Sequence, residues 1–194
     1  MALSAPSKRT FTPEEYLELE RKANYKSEYV DGEIFAQAGA SEPHNLIVAQ
    51  TIVELGVQLK GSSCKVFPSD IRVHVEKANR YTYPDVTVLC GETLFADDRK
   101  DTITNPTVVI EVLSPSSEAY DRGGKFAAYR TLASLQTYIL ISQDQALIEV
   151  FERQDESWLL NAAKGLEASA HVKSIDCAMQ LADIYAFVDF EVSD

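Results

Sequence analysis

The chain has 194 residues, of which 45% are hydrophobic and 9% aromatic, and its formal net charge is −12 at pH 7. This length and composition are typical of one globular domain over residues 1–194, with residues 1–10 expected to be flexible. The negative charge argues against broad, non-specific attraction to nucleic acid, so a nucleic-acid function would need a local basic patch or metal ions. No apolar run is long enough for a membrane span or a signal peptide, which favours a cytoplasmic location and no membrane partner.

The three cysteines, Cys64, Cys90 and Cys177, are far apart and lack CxxC spacing. Their odd number and wide separation predict neither a disulfide framework nor a zinc site. A reducing cytoplasm fits this pattern, and no disulfide is expected.

The N-terminal part of the chain predicts a helix and a hairpin. "FTPEEYLELERKA" favours a helix over residues 13–23, because Thr12 can cap it and Pro13 suits its first position. In "SEYVDGEIFAQ", the pair Asp31-Gly32 between two β-prone runs is the signature of a two-residue type I′ turn.

Helices and strands then alternate along the rest of the chain. Ser41 can cap a second, well-buried helix that ends at Gly61, and Asp121 can cap a third, "RGGKFAAYRTLA". Three strand candidates lie between these helices, "CKVFPSDIRVHVE", "YTYPDVTVLC" and "PTVVIEVLS". Three more follow, "LQTYILIS", "ALIEVFER" and "SWLLNAA", and "CAMQLADIYAFV" predicts a short closing helix. This order indicates an α/β or mixed α+β fold with a mixed central sheet.

A carboxylate stands in the apolar middle of the strand "PTVVIEVLS". An ionised Glu111 buried there costs several kcal/mol unless a cation or hydrogen bonds offset it. Because side chains alternate along strands, Asp85 of "YPDVTVL" can converge on Glu111 if the two strands are neighbours. Lys125, one turn past Asp121, can lie over the same sheet face. Two carboxylates side by side favour a shared proton or a divalent cation, and all-oxygen ligands suit Mg²⁺ or Mn²⁺ better than zinc.

At these residues the sequence resembles the PD-(D/E)xK nuclease superfamily, and specifically its Uma-two type of endonuclease. The resemblance rests on "YPDVTVL" and "PTVVIEVLSPSSEAYDRGGKFAAYR", and "YKSEYVDGEIFAQAGASEPHN" and "LADIYAFV" extend it over nearly the whole chain. It implies a restriction-endonuclease-like core, in which a mixed central β-sheet is flanked by helices, together with an N-terminal helix and β-hairpin. It also implies Mg²⁺-dependent hydrolysis of phosphodiester bonds.

Carried over by position, the resemblance implies that Asp85 and Glu111 are metal ligands. The superfamily places its lysine two residues after the acidic residue, where this chain has Leu113. The Uma-two type resembles members whose lysine has moved to the neighbouring helix, which makes Lys125 the replacement. A lysine there would orient or deprotonate the attacking water, or offset charge on the phosphate. Glu28 matches a further acidic position of the family, which helps to hold the metal or its water.

Several candidate residues also have ordinary structural interpretations. Lys125 is otherwise a solvated surface lysine or the partner of a structural ion pair, and Glu28 is otherwise a hairpin surface residue. His44 matches a recurrent histidine of the family, but a hydrogen-bonding role at the helix N-terminus is its simpler interpretation. Asp70 can pair with Arg72 or take part in substrate approach. Arg122 is either part of a basic rim for phosphates or a residue of a solvated helix face.

The sequence therefore predicts an endonuclease that hydrolyses DNA with Mg²⁺ or Mn²⁺ held by Asp85 and Glu111, assisted by Lys125 and Glu28. One alternative is a catalytically inactive binding or assembly module that keeps the nuclease fold, favoured by the net charge of −12 and by Leu113. A phosphodiesterase acting on RNA or nucleotides is another. A homodimer is expected, because nucleases of this fold often cut two strands through paired subunits.

Overall fold

The computed structural model describes residues 9–190, so most of the predicted flexible segment, residues 1–10, lies outside the described residues. The helices are α1 (Pro13–Glu20), α2 (Glu42–Gln58), α3 (Glu118–Tyr120), α4 (Phe126–Tyr129) and α5 (Leu181–Ile184). The first seven strands are β1 (Ser27–Val30), β2 (Glu33–Ala36), β3 (Cys64–Pro68), β4 (Arg72–Val75), β5 (Arg80–Thr82), β6 (Val86–Cys90) and β7 (Thr102–Ile103). The remaining strands are β8 (Val108–Leu113), β9 (Thr137–Ser142), β10 (Leu147–Gln154), β11 (Ser157–Lys164), β12 (Ser169–Val172) and β13 (Cys177–Gln180).

The described strands form three sheets. Six strands pair in the order β11-β10-β9-β8-β6-β3, five in the order β2-β1-β5-β4-β7, and β12 and β13 form a separate pair. Both larger sheets are mixed, because β8 runs parallel to β9 and β4 parallel to β7 while the other pairs are antiparallel. The mixed α+β architecture is thus confirmed, and the second sheet adds to the single central sheet that the sequence predicted.

The predicted N-terminal helix and hairpin are present. Thr12 and Glu15 cap α1 reciprocally, since the Thr12 hydroxyl accepts from the Glu15 N–H and the Glu15 carboxylate accepts from the Thr12 N–H. The helix ends at Glu20 rather than at residue 23. In the hairpin turn, Asp31 and Gly32 have φ angles of 45° and 95°, as the type I′ turn requires.

Several predicted elements differ from the structure. Only one stripe of α2 is buried, and Val53 and Val57 are 53% and 69% exposed, so the prediction of a well-buried helix was wrong. The segment "CKVFPSDIRVHVE" divides into β3 and β4, and "YTYPDVTVLC" divides into the end of β5 and β6. In each case the two strands join different sheets. The predicted closing helix is a strand, β13, over its first four residues, because pairing with β12 buries Cys177 and Met179. Only α5 remains helical.

Cys64 and Cys90 form a disulfide, so the expectation of no disulfide was wrong. The register of β3 and β6 places these two cysteines directly opposite each other. The Gly91 N–H donates to the Ser63 carbonyl in the preceding pair, so the cysteines form a non-hydrogen-bonded pair, in which side chains lie closest. The two cysteines are 26 residues apart in the sequence, and no local motif indicates that they would meet. The cytoplasmic location, which rested partly on the cysteines, stays a prediction.

The six-stranded sheet carries apolar clusters on both faces. One cluster packs α2, α5 and the β12–β13 pair against Val88, Ile110 and Ile139. The opposite face packs α4 and parts of the second sheet against Val109, Leu113 and other residues. Residues alternate between these faces along β8, and Glu111 therefore lies on the face covered by α4. Within residues 9–190, no helix is long and apolar enough to cross a membrane.

Candidate active site

The predicted convergence of Asp85 and Glu111 follows from the pairing of β6 with β8. These strands are antiparallel neighbours with Val86 opposite Ile110, which brings Asp85, just before β6, beside Glu111. The Asp85 Oδ2 accepts a hydrogen bond of 2.7 Å from the Val112 N–H. Asp85 is thus anchored to the backbone of the strand that carries Glu111.

Lys125 reaches into the carboxylates from the helical segment above the sheet. Its Nζ lies 3.0 Å from Glu111 Oε1, 3.3 Å from Glu28 Oε1 and 3.6 Å from Asp121 Oδ1. These four side chains are almost fully buried, with exposed fractions between 3% and 7%. Lys125 is therefore not the solvated surface lysine of the alternative interpretation. We call Glu28, Asp85, Glu111, Asp121 and Lys125 the pocket cluster.

A π-helical turn, Asp121–Lys125, joins α3 to α4 and places two charged residues on the buried side. Helix formation starts at Glu118, so the prediction that Asp121 caps this helix was wrong. Asp121 instead faces the site, and its carbonyl accepts a hydrogen bond of 3.0 Å from the Tyr138 hydroxyl. Single-turn π segments inside helices are frequent at functional sites.

The position where the superfamily has its lysine is apolar here. Leu113 is 4% exposed and packs in the apolar cluster beneath α4 with Ala128 and Tyr129. An ammonium at Leu113 would be buried among hydrocarbon groups at a large desolvation cost. The Lys125 ammonium lies 3.0 Å from Glu111 and comes from the neighbouring helical segment, over the sheet face that the sequence predicted.

Uncharged groups hold the carboxylates in place. The Tyr129 hydroxyl donates to Glu111 Oε1 at 3.1 Å and lies 2.9 Å from the Thr82 hydroxyl. Glu28 Oε1 accepts from the Tyr83 N–H at 3.1 Å. Because Tyr129 lies four residues after Lys125, the same helical stripe that pointed to Lys125 also indicates Tyr129. The part played by Asp121 was missed, since its capping pattern favoured a different position.

Carboxylates outnumber the ammonium in the pocket cluster, four to one. Burial raises the pKa of the Glu111 carboxyl well above its usual value, Lys125 partly opposes this, and the other carboxylates raise it further. Burial also raises the pKa of Asp121. Burial alone would lower the pKa of Lys125, but the attraction of the surrounding carboxylates outweighs it and raises that pKa well above its usual value. Lys125 therefore stays protonated and does not neutralise the cluster.

The cluster fits a divalent cation bound through two carboxylates. Across residues 9–190, no group of three or more His, Cys, Asp or Glu side chains is arranged to hold a metal ion. Mg²⁺ usually takes one or two protein carboxylates, with waters and substrate phosphates completing its ligands. In the described part of the chain, the ion pair and the hydrogen bond of Glu111 both use Oε1. Glu111 Oε2 and the neighbouring Asp85 are thus an all-oxygen pair of the kind that Mg²⁺ or Mn²⁺ prefers.

The accessory candidates divide between the site and the surface. His44 Nε2 lies 3.2 Å from Asp85 Oδ2, and its Nδ1 is buried without a hydrogen-bond partner among the described residues. Asp70 is 80% exposed at its side chain and pairs with Lys26, so the prediction that it pairs with Arg72 was wrong. Arg122 pairs with two glutamates and is not a wall of the pocket. The basic rim suggested for it is therefore neutralised.

Comparisons with known proteins show the family to which this chain is similar. A family model described as "Uma2: Putative restriction endonuclease" matches residues 13–182. Uncharacterized proteins slr1290 and sll1609 of Synechocystis sp. (strain ATCC 27184 / PCC 6803 / Kazusa) are 38% and 37% identical, covering 96% and 82% of this chain and 97% and 91% of their own lengths.

A solved structure shares the fold. The crystal structure of "a putative nuclease belonging to DUF820" from Anabaena variabilis ATCC 29413 has a TM-score of 0.75 at 19% identity, covering 92% of this chain and 99% of that one. At this identity the likeness shows the fold alone. Together with the family match, it confirms the restriction-endonuclease-like fold that the motifs predicted. The chain therefore belongs to the Uma2 family, the Uma-two type that its sequence resembles.

Proposed function

We propose that this protein is a Mg²⁺-dependent endonuclease that hydrolyses phosphodiester bonds of DNA, with the pocket cluster as its active site. The observation that carries the proposal is the buried contact of 3.0 Å between Lys125 and Glu111, beside Asp85, in a chain of this family. Buried titratable groups whose pKa values are shifted by burial and by specific partners, lying in a cleft, are typical of catalytic sites.

Asp85 and Glu111 are the residues proposed to hold the metal ion. When bound, Mg²⁺ or Mn²⁺ activates a water molecule and offsets the charge that develops on the phosphoryl group. The Val112 N–H fixes Asp85, and the Tyr129 hydroxyl fixes Glu111, so both carboxylates are oriented before substrate arrives.

The surroundings of Lys125 favour an electrostatic role over a role as general base. Its pKa is raised by the attraction of Glu111, Glu28 and Asp121, although burial opposes that shift. A lysine that stays protonated donates hydrogen bonds but does not accept a proton. Lys125 is therefore proposed to orient the attacking water and to stabilise negative charge on the phosphate. Glu28 holds the ammonium from the hairpin side and is proposed to position it.

A homodimer is part of the proposal and is supported by the edge strand of the six-stranded sheet. β11 exposes Leu159 and Leu160 by 41% and 47%, and an exposed apolar edge is a template for strand pairing. The proposed interface is antiparallel pairing of two copies along β11, centred on Leu160. Analytical ultracentrifugation tests this: Leu160→Lys is expected to give monomers, and a dimer unchanged by Leu160→Lys would contradict this interface.

Nicking of supercoiled plasmid DNA tests the nuclease assignment. Wild-type protein is expected to nick the plasmid with Mg²⁺ or Mn²⁺ and not with excess chelator. Asp85→Asn and Glu111→Gln are each expected to lower the rate by about 100-fold or more, as removal of a metal ligand or its partners does. Asp183→Asn, an exposed residue outside the pocket, is the matched control and is expected to match wild type. Equal nicking by wild type and both pocket variants would overturn the proposal.

The same assay separates the alternative functions. Cleavage of RNA or of nucleotides, but not DNA, with the same dependence on Asp85 would assign another phosphodiesterase activity to this site. The absence of cleavage across a panel of DNA, RNA and nucleotide substrates would favour the binding or assembly module. The net charge of −12 also favours that alternative.

A further inference from the structure

The pocket cluster lies at the floor of a pocket and not on an open surface. The pocket has a volume of about 1030 Å³, and Glu28, Glu111, Asp121 and Lys125 are exposed by only 3% to 7%. This volume is at the upper end of the range for small-molecule clefts and leaves room for a nucleotide. A phosphodiester bond must therefore enter the pocket to meet these groups. The phosphates of an intact duplex lie along a stiff rod, which favours contact with broad surfaces over entry into such a pocket.

The pocket also lacks the cations that a duplex backbone requires. Among the described residues that line it, Lys26 and Lys125 are the only lysine or arginine side chains. Lys125 is held by buried carboxylates, and Lys26 lies 2.5 Å from Asp70. Proteins that bind duplex DNA tightly neutralise several phosphates with lysine and arginine. The walls of this pocket thus offer little attraction to a duplex.

An aromatic side chain is fixed at the wall of the pocket. Tyr120 is 37% exposed, and its hydroxyl accepts a hydrogen bond of 3.2 Å from Arg80. Its ring lies so close to the Gly124 backbone that a Cβ at Gly124 would be 3.3 Å from two ring atoms. Gly124 and Arg80 therefore hold the ring in one place. Phe35, on the hairpin, lines the same pocket and is 49% exposed.

Neutral polar side chains complete the walls. They include Gln37, Ser41, Ser114, Ser117 and Gln143. Hydroxyl and amide groups suit the edges of an unpaired base, and aromatic rings stack on its face. The pocket therefore combines buried charged groups for a phosphate with aromatic and neutral polar groups for a base.

From these features we infer that the active-site pocket admits an unpaired nucleotide, with its base stacked on Tyr120, so that the substrate is single-stranded or locally unpaired DNA. The inference rests on the proposed nuclease function. It adds the strand state of the substrate and a binding role for Tyr120. A duplex is a substrate only where a nucleotide leaves the helix, which costs a few kcal/mol per nucleotide.

Paired binding and cleavage assays on the full chain test this inference. Binding is measured by fluorescence anisotropy with a labelled 20-nucleotide single strand and with the same strand annealed to its complement, in Ca²⁺. Cleavage of the same two probes is measured in Mg²⁺. The variants are Tyr120→Ala, Tyr120→Phe, which keeps the ring, and Leu94→Ala, an exposed apolar residue outside the pocket. Thermal unfolding confirms that each variant is folded.

Wild type is expected to bind and cleave the single strand at least about 10-fold better than the duplex. Tyr120→Ala is expected to weaken single-strand binding by about 5- to 100-fold, the usual effect of removing one stacking ring, while Tyr120→Phe and Leu94→Ala retain it. Equal use of both probes, or binding unaffected by Tyr120→Ala, would overturn the inference and leave a nuclease that depends on Asp85 intact. Binding of the single strand through Tyr120 without any cleavage would support the inference and contradict the proposed catalysis.

Discussion

Two charged clusters in this protein differ in how completely their charges are matched. The pocket cluster sets four carboxylates against one ammonium, that of Lys125. On the other side of the second sheet, Arg21 and Arg72 meet Asp97 and Asp101, two cations against two carboxylates. Arg21 lies 2.6 Å from Asp97 and 2.9 Å from Asp101, and Arg72 lies 2.5 Å from Asp101. We call these four residues the balanced cluster.

The carboxyl pKa values of the two clusters are shifted in opposite directions. Hydrogen bonds from Arg21 lower the pKa of Asp97 and hold that of Asp101 well below its usual range. Burial instead raises the pKa values of Glu111 and Asp121, although Lys125 is close to both. The balanced cluster thus stabilises the fold without a ligand. The pocket cluster has more carboxyl groups than cations, and a bound proton or a divalent cation would relieve their repulsion.

The largest expected effect is the loss of the ammonium from the pocket cluster. Lys125→Met leaves buried carboxylates without a cation and is expected to lower the free energy of unfolding by about 3–5 kcal/mol at pH 8. The loss should be smaller at pH 5, because the buried carboxyls can then take up protons. Urea unfolding at the two pH values measures this. Lys173→Met, which removes an exposed lysine paired with Glu152, is the control and is expected to cost less than about 1 kcal/mol. Equal losses of unfolding free energy in the two variants would show that Lys125 stabilises the fold no more than an exposed lysine does.

In the balanced cluster, removing one carboxylate charge should destabilise the protein. Asp101→Asn removes charged hydrogen bonds to Arg21 and Arg72, and with the side chain 34% exposed the expected cost is about 1–2 kcal/mol at pH 7. Since the pKa of Asp101 is lowered in the folded state, its contribution is present above about pH 4 and is lost as the pH falls further. The difference in unfolding free energy between wild type and variant should therefore shrink from pH 7 to pH 2. Asp98→Asn, its exposed neighbour, serves as control, and a cost as large at pH 2 as at pH 7 would contradict the electrostatic origin.

Removing one carboxylate charge from the pocket cluster should change the free energy of unfolding in the opposite direction, and by a smaller amount. Because the pKa of Glu111 is raised in the folded state, its contribution to stability is lost as the pH rises through that value. Glu111→Gln is therefore expected to stabilise the metal-free protein by up to about 1 kcal/mol at pH 8, and less at pH 5. Urea unfolding in chelator, with the exposed Glu167→Gln as control, measures the change. A loss as large as that of Asp101→Asn would mean that Lys125 already balances Glu111.

The convergence of the central site residues could be predicted because it follows from the regular spacing of side chains along strands and helices. Alternation along β6 and β8 places Asp85 and Glu111 together, and the helical stripe over them brings in Lys125. An ionised residue within an apolar strand is also a strong local signal, because its burial requires partners. Glu28 was indicated by the family resemblance, and the register of the hairpin places it opposite Phe35.

Other features depend on contacts between distant segments and could not be predicted. The disulfide arises from the register of β3 with β6. β13 lies in a segment whose apolar spacing also suits a helix, and only its pairing with β12 makes it a strand. Asp121 looked like a helix cap because such residues favour caps, and only the π-helical turn turns it towards Lys125. The balanced cluster joins residues 76 and 80 positions apart, beyond any local pattern.

Binding of Mn²⁺ tests the difference between the two clusters most directly. Isothermal titration calorimetry of the wild-type protein is expected to show one Mn²⁺ bound per chain, and Asp101→Asn is expected to bind it equally well. Asp85→Asn and Glu111→Gln are each expected to lose the binding heat, since each removes one of the two proposed ligands. Absence of Mn²⁺ binding to the wild type, or binding that survives both pocket substitutions, would contradict the central claim that the surplus carboxylates form a metal site.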